Sequence, residues 1–309
     1  MPHLVAIVVT YHPDASVIDR IRRLAGQAGH VVIVDNTPDV LSRKLFSGAF
    51  ASIPETVTFF FNNANFGVAA ALNLGMRYAI SCGAEWVLTM DQDSCITDGM
   101  IQVMLATYQD LPADLRQQTV SLAPVLVESE EDGVCAVVPI PSPSAHREIS
   151  TAITSGNLIK SDAWQRIGGF EEKLFIDYVD HDFCFRLRRA GLKIVECRNA
   201  RLIHRIGHAR TIKCLGRKLI IDQHPPFRSY YILRNGLYFW RTFPEPDPFV
   251  RADKMNTLKL ILKAILFDTR KAERMRMFWR GYRDFVRGHM GLYSDIHPKE
   301  SSASNAVAP

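Results

Sequence analysis

Two aspartates one residue apart, Asp91 and Asp93, end the apolar run Trp86-Val87-Leu88-Thr89-Met90. A short apolar run of this kind reads as a buried strand. The carboxylates then sit where the strand leaves its sheet, and in open α/β sheets ligands bind outside the carboxyl ends of the strands. No Lys or Arg lies close by in the sequence to neutralise them. A hard divalent cation suits such a pair, because Mg²⁺ is usually held by one or two carboxylates together with substrate phosphates. The chemistry expected is therefore that of a metal–diphosphate site. Asp-x-Asp alone is also common in solvated acidic turns, so the rest of the chain must supply the other parts.

The elements before it are arranged to do so. Leu4 to Thr10 is a continuous, β-branched run and reads as a central buried strand. Tyr11-His12-Pro13-Asp14 forms a turn into a helix with Val17, Ile18, Ile21 and Leu24 on one face. Val31 to Val34 makes a second strand ending in Asp35-Asn36, and Pro38 to Phe46 a short helix. Val57 to Phe61 is a third strand. Asn65-Phe66-Gly67 opens a helix with Ala69, Leu72, Met76 and Ala79 inward, closed by Gly83. This alternation predicts a parallel sheet with helices on both faces. Thr10, Asp35, Asn36, Asn65 and Asp91 all follow strand runs and would gather along one sheet edge.

From Val120 the pattern changes. Val120 to Val127 and Val134 to Val138 read as strands around an acidic loop, Glu128 to Asp132, before a Pro/Ser turn over Pro139 to Pro143. Thr154-Ser155-Gly156-Asn157 leads into a helix through Trp164, broken by Gly168-Gly169. A helix with Phe183 and Leu187 inward follows Asp182, with Gly191 as its cap. Lys193 to Cys197 and Arg201 to His204 read as two short strands.

Bulk composition narrows the class. The chain has 309 residues, 47% hydrophobic and 22% charged, which suits a globular protein of one large domain with an appendage, or two domains. No secretory leader and no run long and clean enough to span a bilayer is expected. Six scattered cysteines without Cys-x-x-Cys argue against zinc ribbons and for reduced thiols in a cytoplasmic setting. The net charge of +5 is concentrated between Arg270 and Arg287, which hold six Arg and one Lys against Glu273 and Asp284. Trp240, Phe278, Trp279, Tyr282 and Phe285 lie in the same C-terminal region. Aromatic and basic residues on amphipathic helices suit an anionic membrane surface or a second subunit, forming a homodimer, rather than nucleic acid.

Several separated strings then agree. They are Val8-Val9-Thr10-Tyr11, Val34-Asp35-Asn36, Asn65-Phe66-Gly67 and Met90-Asp91-Gln92-Asp93-Ser94. Later come Ser155-Gly156-Asn157, Gly169-Phe170, Phe175-Ile176-Asp177-Tyr178-Val179-Asp180, and His204 with Gly207. As a set they resemble the family 2 glycosyltransferases, an inverting family of GT-A fold. Within it they are most similar to bacterial rhamnosyltransferases of O-antigen and related cell-surface polysaccharide synthesis. The resemblance covers roughly the first two thirds of the chain and, more weakly, Arg228 to Asn235.

The resemblance implies an α/β, Rossmann-like mixed sheet over 1–210, with a nucleotide-sugar half over about 1–95 and an acceptor half over about 96–210. A basic, aromatic helical region spans 211–300 and a disordered tail 301–309. It implies a metal held by Asp93 and His204, with Asp91 toward the metal or the ribose. An imidazole favours Mn²⁺ over Mg²⁺. Asp35 would accept from the base, with Thr10 and Tyr11 lining it, and Asn65 and Gly67 would open a helix N-terminus at the nucleotide. Asp180 matches the general base, although the acidic residue often found just before it is Val179 here. Asp182, Asp177 and Asn157 would contact the acceptor. The implied donor is dTDP-L-rhamnose and the acceptor a glycan or lipid-linked sugar, on the cytoplasmic face of the bacterial plasma membrane. Other donors, UDP-hexose or UDP-galactofuranose, fit the same fold. A sugar nucleotidyltransferase would want a Gly-rich basic loop after the first strand, which Thr10-Tyr11-His12-Pro13 is not, and a noncatalytic anion-binding module leaves Asp91, Asp93 and Asp180 without a role.

Overall fold

A computed structural model of the chain describes residues 3–49, 53–127, 145–204, 209–214, 217–222, 225–244 and 247–297. The acidic loop, the strand expected at Val134 to Val138, the Pro/Ser turn, Gly207 and the tail after residue 300 lie outside them. Contacts divide the chain into two compact units. One comprises Met1–Glu171 and Val179–Arg205, and the other Glu172–Tyr178 and Ile206–Pro309. The short piece 172–178 groups with the C-terminal helices.

The first unit begins with β1 (Leu4–Thr10), α1 (Val17–Ala25), β2 (His30–Asp35), α2 (Leu41–Ala49), β3 (Val57–Phe61), α3 (Gly67–Ser81) and β4 (Trp86–Asp91). It continues through β5 (Cys95–Ile96), α4 (Met100–Gln109), α5 (Ala113–Gln118), β6 (Thr119–Val127), β7 (His146–Ile149), β8 (Asn157–Lys160), α6 (Ser161–Ile167), α7 (Val179–Arg189) and β9 (Lys193–Ile203). The sheet order is β3-β2-β1-β4-β8-β6-β9-β5, with β7 also on β9. The β3-β2-β1-β4 half is parallel, as the alternation predicts. β8 then runs antiparallel to both β4 and β6, so the sheet is mixed.

The central strands are buried on both faces, and alternate residues face different helices. Ala6, Val8, Val31, Ile33, Leu88 and Met90 share one core with Val17, Ile18, Ile21 and Leu24 of α1 and Met100, Ile101 and Met104 of α4. Each of those large side chains is worth roughly 1.5–3 kcal/mol relative to exposure. On the opposite face, α3 lies close enough to β1 that a Cβ on Gly75 would meet Ile7 Cγ2 at 2.6 Å. Only glycine permits that approach.

Four readings change. α2 begins at Leu41 rather than Pro38, because the Asp39 carboxylate accepts from the Leu41 N–H at 2.8 Å and caps it there. The helix expected after Asn157 starts only at Ser161, since Asn157–Lys160 pairs with β4 as a strand. The two short strands after Lys193 are one strand, with an irregularity opposite Pro124 and Val125. Cys82, Cys184 and Cys197 are free, but Cys95 is disulfide-bonded, against an all-reduced set. Burial pushes the Cys184 and Cys197 thiols up to about 12, which suits neutral packing residues.

The C-terminal unit holds the hairpin β10 (Ala209–Cys214) and β11 (Arg217–Asp222), then α8 (Arg228–Thr242), α9 (Pro248–Phe267), α10 (Lys271–Arg287) and α11 (Tyr293–Ile296). It closes around residues 172–178. Phe175, Asp177 and Tyr178 all adopt left-handed backbone, with φ of 66°, 62° and 67°. Such conformations cost about 1–3 kcal/mol each in non-glycine residues, so neighbours must impose them. The buried Asn235 amide nitrogen donates to the carbonyls of Leu174, Ile176 and Asp177 at 2.8, 2.7 and 3.0 Å. Arg234, fully buried, adds Leu174 O and Gly291 O, and Arg228 pairs with Asp177. Replacing Asn235 by Ala leaves these carbonyls without their donor. We expect Asn235→Ala to lose about 2 kcal/mol or more of stability, read as a lower urea midpoint; an unchanged midpoint would contradict the clamp.

Candidate functional site

The site is built at the carboxyl ends of β1, β2 and β4. Register pairs Thr10 with Asp35 and Val9 with Asp91. The Asp35 carboxylate is 1% exposed and takes three hydroxyls: Thr10 Oγ1 at 2.7 Å, Thr37 Oγ1 at 2.8 Å and Ser42 Oγ at 2.6 Å. Thr37 Oγ1 in turn accepts the His12 N–H at 2.9 Å. Thr10 is also fully buried. These two residues of the expected base pocket therefore lie beneath the surface and brace it. The ring at that edge which meets solvent is Tyr11, 44% exposed.

An asparagine ladder ties β2 and β3 to α3. Asn62 Nδ2 donates to Asn36 Oδ1 at 2.8 Å, and Asn36 Nδ2 donates to Gly67 O at 2.9 Å. Asn65 Oδ1 accepts the Gly67 N–H at 3.0 Å in the turn that enters α3. Gly67 has φ of 85°, a value that favours glycine at this helix entry. Asn65 and Gly67 thus shape the helix N-terminus, and the Asn65 side-chain oxygen is already engaged.

Asp91, Asp93 and His204 come together. Each offers a ligand atom, and these atoms lie within 4.8 Å of one another. Two carboxylates and an imidazole are a suitable donor set for a divalent cation, with the imidazole leaning toward Mn²⁺. His204 arrives from the end of β9, where its N–H donates to Val127 O at 3.1 Å. A chain of buried hydroxyls supports it. The Asp91 N–H donates to Ser155 Oγ at 3.2 Å, Ser155 Oγ donates to Ser94 Oγ at 2.8 Å, and Ser94 Oγ lies 2.8 Å from His204 Nδ1. Nδ1 is thereby engaged, and Nε2 is the nitrogen left for a ligand. Ser94 and Ser155 occur in the motif strings, but their bond joins segments 61 residues apart, which no local spacing reveals.

Asp180 stands in the first turn of α7 with its side chain 21% exposed. Its Oδ1 accepts the His181 N–H at 2.8 Å and lies 2.8 Å from His181 Nδ1. Both of these His181 contacts fall on Oδ1. Burial pushes this carboxyl up, but the His181 charge and its hydrogen bonds outweigh that and hold it below the usual carboxylate range. It is therefore ionised at neutral pH and remains so as pH falls to the ordinary Asp range.

The expected acceptor contacts are placed otherwise. Asn157 is 2% exposed, and its Oδ1 accepts from Ser121 Oγ at 2.7 Å inside the sheet. Asp182 is 2% exposed and accepts from Arg186 Nε at 2.7 Å, one turn along α7. Asp182 and the Asn157 side-chain oxygen are thus engaged inside the protein. Asp177 is paired with Arg228 in the C-terminal unit.

Residues 5–125 match the family model described as Glycosyl transferase family 2. The dTDP-rhamnosyl transferase RfbF of Shigella flexneri is 28% identical over 304 residues, covering 94% of this chain and 97% of the relative. Galactofuranosyltransferase GlfT1 of Mycobacterium tuberculosis H37Rv is 27% identical over 255 residues, 75% of this chain and 80% of the relative. Among solved structures, Staphylococcus aureus TarS 1-349 in complex with UDP-GlcNAc superposes with a TM-score of 0.55 at 15% identity, over 94% of this chain and 82% of that one. GalNAc-T7 with UDP, GalNAc and Mn²⁺ gives 0.59 at 11% identity over 98% of this chain, which spans 58% of that longer one. The fold is the GT-A α/β fold expected from the sequence. The chain carries a glycosyl transferase family 2 domain in its N-terminal part, and it is a glycosyltransferase.

Proposed function

We propose that this glycosyltransferase moves L-rhamnose from dTDP-L-rhamnose to a hydroxyl of a glycan or lipid-linked acceptor in cell-surface polysaccharide synthesis, with inversion in one displacement. The observation that carries the reading is the cluster of Asp91, Asp93 and His204 at the end of β4, in a chain aligned almost end to end with a dTDP-rhamnosyl transferase. A divalent cation held there, Mg²⁺ or Mn²⁺, would offset the charge that develops on the departing diphosphate.

The chain's own groups supply the rest. The exposed Tyr11 ring offers the nucleoside base a stacking face, and the Gly67 end of α3 presents N–H groups suited to an anion. Oδ2 of Asp180 receives the proton of the acceptor hydroxyl as its oxygen attacks the anomeric carbon and the bond to the diphosphate breaks. Its depressed proton affinity keeps the base form present at neutral pH. Galactofuranose transfer from a UDP donor is the second reading, favoured by the GlfT1 similarity.

The C-terminal unit supports work at an anionic membrane surface on the cytoplasmic side. Leu258, Leu262, Ile265 and Leu266 are exposed on α9, with Arg251 and Lys259 exposed on the same helix. Among the described residues no helix is long and apolar enough to cross a membrane. Attachment would therefore be to the surface, through apolar burial plus cationic attraction.

Two outcomes test these statements. Asp93→Ala should abolish transfer and its metal dependence, whereas Asp180→Asn should lower kcat by about 10²–10⁴-fold while dTDP still binds. Wild-type turnover in either variant would refute the assignment. In co-sedimentation, the protein should pellet with phosphatidylglycerol vesicles but not with phosphatidylcholine, and Leu258→Asp/Leu262→Asp should release it. Equal pelleting with both lipids, or no effect of the double substitution, would remove the membrane role.

A further inference from the structure

Gln92 lies between the two aspartates, and nothing in metal binding requires a particular residue there. Its side chain is nevertheless committed. Gln92 Oε1 accepts the Tyr11 N–H at 2.8 Å, and Gln92 Nε2 donates to Tyr11 O at 3.1 Å. Both backbone groups of Tyr11 are thus met by one amide, in the manner of a neighbouring strand residue. The ladder between β1 and β4 ends at the pair Val9 and Asp91, so the Gln92 side chain extends it beyond the last main-chain pair. Arg20 Nη1 donates to Gln92 O at 3.0 Å and fixes the backbone from α1. Tyr11 needs this support: the next residue, His12, has left-handed backbone with φ of 45°, and its ring meets Tyr11 edge-on with centroids 4.4 Å apart.

We infer that Gln92 is a positioning residue for the nucleoside: it locks the Tyr11 stacking face to the Asp91–Asp93 loop, so that base and diphosphate are held at one fixed separation. This rests on the proposed reading that Tyr11 lines the base. A preset separation means that the donor does not have to order the loop when it binds. The amide pair is needed for this, because a side chain of equal length without it cannot both donate and accept.

The test uses the full chain and two probes, dTDP titrated by calorimetry in saturating Mn²⁺, and Mn²⁺ alone followed by electron paramagnetic resonance. Gln92→Met keeps the length and removes the amide. It should bind dTDP about ten-fold more weakly, because the donor then has to order the Tyr11 face itself. Mn²⁺ affinity should stay at the wild-type value. In a Tyr11→Ala background, Gln92→Met should add little, because its effect passes through Tyr11. If Tyr11→Ala weakens dTDP but Gln92→Met does not, the inference is wrong and the base reading stands. If Gln92→Met weakens Mn²⁺ as much as dTDP, Gln92 acts on the metal loop and the coupling is overturned. If Tyr11→Ala leaves dTDP binding unchanged, the base reading itself fails and takes the inference with it.

Discussion

The register of β1 between β2 and β4 is the constraint on which the site depends. With Thr10 opposite Asp35 and Val9 opposite Asp91, three chain segments leave the sheet at one level. A slip of one residue would move every side chain of β1 to the opposite face, against the wrong helix. It would also part Thr10 from Asp35 and carry Tyr11 away from Gln92. Burial prevents that slip: all seven residues of β1 are buried, with α1 and α4 contacting one face and α3 the other. The polar bonds at the strand ends therefore do not create the alignment. They inherit it from the apolar core and turn it into a fixed set of atoms.

That division explains what was legible beforehand. β1, β2, β4, α1 and α3 have strong periods and end in polar residues, so their placement and the gathering of Thr10, Asp35, Asn36 and Asp91 could be read from pattern alone. β8 could not. Its four residues are too few to show a period, and a buried Leu158-Ile159 pair fits a helix or a strand equally. His204 joins Asp91 and Asp93 because β5 pairs antiparallel with β9, setting Cys95 opposite Ile203. Resemblance identified it, whereas spacing could not.

Roles were less legible than positions. Asp35, Asp182 and Asn157 have residue types suited to ligand contact, yet each is buried against partners inside the protein. Sequence shows that a carboxylate is present at a strand end but not how many donors already surround it. Gln92 and Ser94 show the converse. Neither type suggests chemistry by itself, and both matter through contacts with residues 81 and 110 positions away. The C-terminal helices add a further function to the surface role read from their charge: Asn235 and Arg234 hold a strained segment whose last residue, Tyr178, is followed in the chain by Val179 and Asp180.

The most direct test of the central claim, that Asp91, Asp93 and His204 anchor the donor diphosphate through a divalent cation, is a calorimetric panel of dTDP, UDP and GDP with Mn²⁺ and with EDTA. Tight binding of dTDP that disappears in EDTA, together with weaker binding of UDP and GDP, is the expected result. Equal dTDP affinity with Mn²⁺ and EDTA would contradict the anchor, and a clear preference for UDP would keep the anchor but contradict rhamnose as the transferred sugar.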